Sequence, residues 1–113
     1  MNNKDKNRYE IIYDETYMKE IDRIYLYIRN KLKEEKIASK IVTKIMGKLK
    51  ILEDFPYTHK LIKKSKNSEY RKFIIKNYII IYKISLKEIN ILHIYNQKQK
   101  IRKKKKEMQE QNC

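Results

Sequence analysis

Chemistry in this chain would have to come from a short set of side chains. The 113 residues hold two histidines, His59 and His93, and one cysteine, Cys113, the last residue. His93 and Tyr95 fall on one face of an apolar run near the end of the folded part, and Arg71 and Lys98 could lie beside them. An imidazole exchanges protons near neutrality, and an arginine or lysine neutralises phosphate charge. The set therefore offers a base, an acid and a phosphate clamp. The simpler reading of His93 is a packed or hydrogen-bonded strand residue. His59 sits in a polar stretch and reads as exposed. With the histidines far apart, the cysteine terminal and no acidic cluster, the sequence offers no metal site and calls for no cofactor. The one glycine, Gly47, lies inside a helical pattern, which leaves no phosphate-cradling loop.

The elements that must position these residues follow from periodicity. Tyr9–Tyr13 (YEIIY) is β-branched and aromatic, a first strand. Asp14 offers an N-cap, and Tyr17, Ile21, Ile24, Tyr25, Ile28 and Leu32 recur at spacings of three and four, an amphipathic helix to about residue 33. Its opposite face, Lys19, Glu20, Asp22 and Arg23, reads as solvent-facing. After a polar break at 33–36, Ala38, Ile41, Val42, Ile45, Met46, Leu49 and Leu52 form one apolar stripe, a second helix ended by Pro56. Gly47 costs that helix roughly 1 kcal/mol, which a close helix–helix contact would explain. Lys36, Lys40, Lys44 and Lys48 stack along one edge of it and repel one another weakly, a solvated face or an edge for an acidic partner.

Residues 57–68 read as a basic loop. Three β-rich runs follow, Tyr70–Lys76, Tyr78–Ile84 and Glu88–Tyr95, with hairpin-sized gaps at Asn77 and Ser85–Lys87. The middle run, YIIIYKI, is apolar on both faces and should be central and covered on both sides. The third run places Ile89, Ile91 and His93 on one face and Leu92 and Ile94 on the other. The order β-α-α-β-β-β implies an α+β fold, a helical hairpin packed on a small antiparallel sheet. Residues 1–100 form the single domain, and 101–113 a basic tail that cannot bury a core. Tyr17, Tyr25, Tyr78 and Tyr82 fall on apolar faces and read as core or rim.

Charge narrows the partners. The net charge is +15, but Lys, Ile, Tyr and Asn, all with A/T-rich codons, number 24, 20, 10 and 9, so genome drift accounts for part of the excess. The distribution is more informative. Residues 1–56 hold 13 basic and 10 acidic residues, whereas residues 57–113 hold 16 and 4. Drift would load both halves alike, so the second half builds a basic surface suited to an anionic partner. The longest apolar run, Tyr78–Tyr82, is far short of the ~20 residues that span a bilayer, and residues 1–8 carry no apolar signal segment. With no disulfide available, the expectation is a cytoplasmic protein without a membrane partner.

The stretch LKILEDFPYTHKLIKKSKNSEYRKFIIKNYIIIYKIS (49–85), followed by INILHIY (89–95), resembles the RelE/ParE family of toxins from bacterial type II toxin–antitoxin modules. The resemblance is carried by Leu52-x-x-Phe55-Pro56 at a helix end, Tyr70–Arg71 opening a strand, and Asn77–Tyr78 before an apolar strand that closes with Tyr82. Ile24 and Tyr27–Ile28 fit the family's opening helix. The likeness spans about residues 8–100, and it implies a cognate antitoxin as partner.

The family divides by target: RelE-like members cut mRNA on the ribosome, and ParE-like members inhibit DNA gyrase. In the cleaving subgroups an arginine usually follows the Tyr or His that opens the central strand; here that position is Ile79. Those subgroups also carry a Tyr or a His–Tyr pair after the last strand, and Asn96–Gln97–Lys98–Gln99–Lys100 has neither. Arg71 stands where a basic residue is common throughout the family. The resemblance therefore favours a gyrase inhibitor. The alternatives are a ribosome-dependent mRNA endonuclease using Arg71, His93 and Lys98, and a degenerate protein that captures antitoxin without toxicity. Arg71, Tyr95, Lys98, Lys100 and Arg102 are the candidate target- or antitoxin-binding residues, expected near one end of the sheet.

Overall fold

The structure, a computed structural model, describes residues 8–97. Strand β1 (Glu10–Tyr13) leads into helix α1 (Glu15–Leu32) through Asp14, whose Oδ2 accepts the Thr16 backbone N–H at 3.1 Å, the expected N-cap. Lys33 closes α1 in the left-handed region, φ 53°. Helix α2 (Glu35–Lys50) returns and passes into a 3-10 turn, Ile51–Glu53. Strands β2 (Lys60–Lys64), β3 (Glu69–Ile75), β4 (Tyr78–Ser85) and β5 (Glu88–Asn96) complete one sheet in the order β1-β5-β4-β3-β2. The α+β architecture stands as expected: every element of the expected β-α-α-β-β-β order is present, and one further strand, β2, is inserted between the helices and the three expected strands. No helix among the described residues is long and apolar enough to cross a membrane.

One face of the sheet packs under the two helices. Tyr17 and Ile21 of α1, Ile45 and Leu49 of α2, Leu52, and Ile75, Ile80, Tyr82, Ile84, Ile89, Ile91 and Ile94 of the sheet form a continuous buried cluster. Each fully buried aliphatic side chain stabilises the fold by about 1.5–3 kcal/mol relative to exposure. The tyrosines behave as expected of core residues: Tyr17 and Tyr82 are fully buried and Tyr78 packs against the cluster. Tyr25 is half-buried, its hydroxyl donating to Glu35 Oε1 at 3.1 Å.

Six expectations need correction. The sheet is mixed, because β1 pairs with β5 in parallel and only the other ladders are antiparallel. Residues 57–68 are not all loop: β2 pairs with β3 across a bulge near Ile62, and its five exposed residues carry no alternation to betray a strand. The central β4 is covered by helices on one side only. A bulge where β4 passes from Ile81 to Tyr82 leaves Leu92 of β5 unpaired, so Ile94 rather than His93 shares the core face with Ile89 and Ile91. Helix α2 ends at Lys50, well before Pro56, which is buried and whose carbonyl accepts the Tyr82 hydroxyl at 2.7 Å. The close contact that would explain Gly47 is also absent: a Cβ there would meet nothing within 4 Å.

With glycine so scarce, other residues take the left-handed turn positions. The two hairpin turns place Lys76 at φ 54° and Leu86 at φ 56°. Such conformations cost a non-glycine residue about 1 kcal/mol each.

Candidate target-binding face

The sheet face turned away from the helices carries, by register, Lys60 and Lys63 of β2, Tyr70, Lys72 and Ile74 of β3, Ile79, Ile81 and Lys83 of β4, and His93 and Tyr95 of β5. Lys60 lies directly opposite Lys72, a like-charged pair that an uncharged partner would leave repelling. Lys63 and Lys83 flank Tyr70, and the Lys83 ammonium stands 5.8 Å from the Tyr70 ring centroid. Beside this basic patch runs an apolar row, Ile74–Ile79–Tyr95, in which Ile79 is 8% exposed and Ile74 49%. A surface of this composition is complementary in charge and polarity to an anionic, partly apolar chain.

The structure separates the residues that sequence reasoning grouped. Arg71 pairs opposite Tyr82, which pairs opposite Ile91, both on the core face, whereas His93 pairs opposite Ile81 on the open face. Arg71 and His93 thus point to opposite sides of the sheet and do not form one cluster. Tyr95 joins His93 on the open face. Lys98, Lys100 and Arg102 lie outside the described residues, as does the basic tail.

Arg71 is fully engaged. Its Nε and one terminal nitrogen donate to Glu69 Oε1 at 3.1 and 2.6 Å, and the other donates to the backbone carbonyls of Tyr57 and His59. The guanidinium also lies 5.3 Å from the Tyr57 ring centroid. This forked, charge-assisted contact fastens the segment before β2 onto β3. The signal available in the sequence was Glu69-x-Arg71, opposite charges two apart on one strand face.

His59 also departs from expectation. It is half-buried, stacked on Phe73 with ring centroids 3.6 Å apart and edge-on to Tyr82 at 6.5 Å. Burial, and then the charge of Arg71, holds its pKa below the ordinary imidazole value. Tyr57 forms an edge-to-face pair with Tyr9, their hydroxyls 3.4 Å apart, and that hydrogen bond together with burial pushes the Tyr57 phenol up to about 12.

The residue that sequence reasoning missed is Glu20. Strand β1 ends at Tyr13, opposite Ile91, so the outer edge of β5 loses its neighbour from there on. Glu20 of α1 occupies that edge: its Oε1 accepts the Ile94 backbone N–H at 3.0 Å and stands 3.3 Å from His93 Nδ1. His93 is therefore an edge residue, half exposed, with its Nδ1 beside the Glu20 carboxylate. A helical wheel places Glu20 towards solvent because it contains no information about where a neighbouring strand stops. Among the described residues no three His, Cys, Asp or Glu side chains converge as a metal site would require.

A family model described as ParE toxin of type II toxin-antitoxin system, parDE, matches residues 11–101. The chain belongs to the ParE toxin family. A solved structure described as a chromosomal ParDE toxin–antitoxin system from P. aeruginosa is similar at 18% identity and a TM-score of 0.67, covering 80% of this chain and 97% of that one. An archaeal RelE-RelB complex from Pyrococcus horikoshii OT3 aligns at 14% identity and a TM-score of 0.46, covering 80% and 96%. No curated protein sequence matches significantly. The toxin thus shares its fold with the P. aeruginosa ParDE structure, and the resemblance drawn from Leu52–Pro56, Tyr70–Arg71 and Asn77–Tyr82 is correct.

Proposed function

We propose that this ParE-family toxin acts by inhibiting DNA gyrase and is neutralised by a cognate antitoxin. The observation that carries the reading is the separation of Arg71 from His93. Cleavage of RNA by its own 2′-hydroxyl needs a base, an acid and a cation around one phosphate. Here the arginine is turned to the core face and held by Glu69 and two carbonyls, and the imidazole is on the other face beside Glu20. Ile79, where the cleaving relatives carry an arginine, sits in an apolar row between Ile74 and Tyr95. An antitoxin fits the family and the charge: the lysine-bearing sheet face would steer an acidic chain towards it.

The experiment is a gyrase supercoiling assay with purified protein, paired with pulse-labelling of DNA and protein synthesis after induction without antitoxin. Inhibited supercoiling and an early fall in thymidine incorporation are expected. Unaffected supercoiling, with leucine incorporation falling first, would replace this reading with ribosome-dependent mRNA cleavage. No growth arrest at all would leave antitoxin capture as the function.

A further inference from the structure

The strongest charge feature outside the sheet lies on α2. Lys36, Lys40, Lys44 and Lys48 are all exposed and follow one another at four-residue intervals. Helix geometry sets them about 6 Å apart in a row of about 18 Å. The left-handed residue Lys76, in the β3–β4 turn, adds a fifth ammonium against Lys44. The neighbouring Lys76 ammonium, and further the charges of Lys48 and Lys40, hold the Lys44 pKa below the usual lysine value. None of the five lysines takes part in an ion pair among the described residues. Ser39 and Thr43 line the same shallow hollow as Lys36, Lys40 and Lys44, with Glu35 at its N-terminal end. The Glu35 carboxylate accepts from the Tyr25 hydroxyl rather than from a lysine.

Two kinds of polyanion suit such a row, and the surroundings separate them. An acidic amphipathic helix needs apolar pockets to anchor it. Helix α2 has no exposed large hydrophobic residue; Leu32 and Ile51 lie beyond its two ends, and the exposed Met18 of α1 adjoins Val42, on the side of α2 away from the lysine row. A single strand with stacked bases needs aromatic rings, and residues 35–50 contain none. Ammonium groups interleaved with hydroxyls are the donors that meet phosphate oxygens, and each strand of a duplex presents a charge every 3.4 Å or so of helix axis.

We propose that the α2 lysine row, with Lys76, is a sequence-independent binding site for the sugar–phosphate backbone of duplex DNA. It lies on the helical side of the molecule, opposite the open sheet face, and does not depend on the toxin's target. Mixed-sequence duplex of about 20 base pairs, titrated against the full chain between about 50 and 200 mM salt, reads the number of phosphates engaged. Lys40→Gln/Lys44→Gln/Lys48→Gln should flatten the log–log salt slope by about 2.7 and weaken binding on the order of a hundredfold near 0.1 M salt. Lys76→Gln should flatten it by about 0.9.

The charge-conserving Lys40→Arg/Lys44→Arg/Lys48→Arg should bind as the parent does, which separates charge from fold. The same loss should persist in a background where Lys103, Lys104, Lys105 and Lys106 are glutamines, which removes the contribution of the tail. An unchanged slope in the glutamine row variant, or binding abolished by the tail substitutions alone, would overturn the proposal. So would a helical polyglutamate peptide that binds the row more tightly than DNA, which would assign the surface to an acidic protein.

Discussion

Arg71 is the side chain on which a structural and a functional role make opposite predictions. Arg71→Gln removes two charge-assisted bonds to Glu69 and two to the carbonyls of Tyr57 and His59. The two charged side chains are only 14% and 21% exposed, so Glu69 is left poorly solvated and the 57–59 segment loses its fastening to β3. Breaking one partner of a buried pair costs 3–5 kcal/mol, and partial exposure puts this one at the lower end, about 3 kcal/mol. That lowers the folding constant on the order of 150-fold. For a domain of this size it lowers the melting temperature by roughly 12–20 °C.

Glu69→Gln alone should cost less, and the double variant should recover about 1–2 kcal/mol of the summed loss, because neither charge is then left alone. Urea unfolding of the three variants, with a common m-value, measures all of this. If Arg71→Gln unfolds within about 0.5 kcal/mol of the parent while growth arrest disappears, the side chain acts on the target and the reasoning fails.

Three further outcomes follow from particular contacts. His59 has a folded pKa below its unfolded value, so the unfolded chain binds the extra proton first. Stability should decline as pH falls through about 6.5, and His59→Phe, which keeps the stack on Phe73, should remove that part of the pH dependence in melting curves from pH 7.5 to 5.5. Glu20→Ala strips the carboxylate from the Ile94 edge N–H and should cost about 1 kcal/mol. Amide exchange at Ile94 should quicken more than at Ile80, in the middle of the sheet; equal protection would refute the edge role. Gly47→Ala meets open space and gains helix propensity, so it should raise stability by about 0.5–1 kcal/mol, and a fall in melting temperature would expose a contact that the structure lacks.

Much of the molecule was written locally. The α1 and α2 stripes, the Asp14 cap and the two short hairpin gaps depend on interactions within a few residues, so periodicity and turn length determined them, and with them every element of the order except β2. The family was legible for the same reason, since Leu52–Pro56, Tyr70–Arg71 and Asn77–Tyr82 mark element ends. What tertiary structure alone decided were pairings between segments far apart in sequence. Strand β2 carries no alternation because both its faces are exposed, and only its ladder with β3 makes it a strand. The parallel β1–β5 ladder ends at Tyr13, and that stopping point turns Glu20 from a solvent residue into the cap of an edge. The bulge at Leu92 shifts the alternation of β5 by one residue, so His93 faces away from the core and from Arg71. Side-chain direction in a strand has period two, so one unpaired residue decides which side of the sheet a histidine serves, and nothing local encodes it.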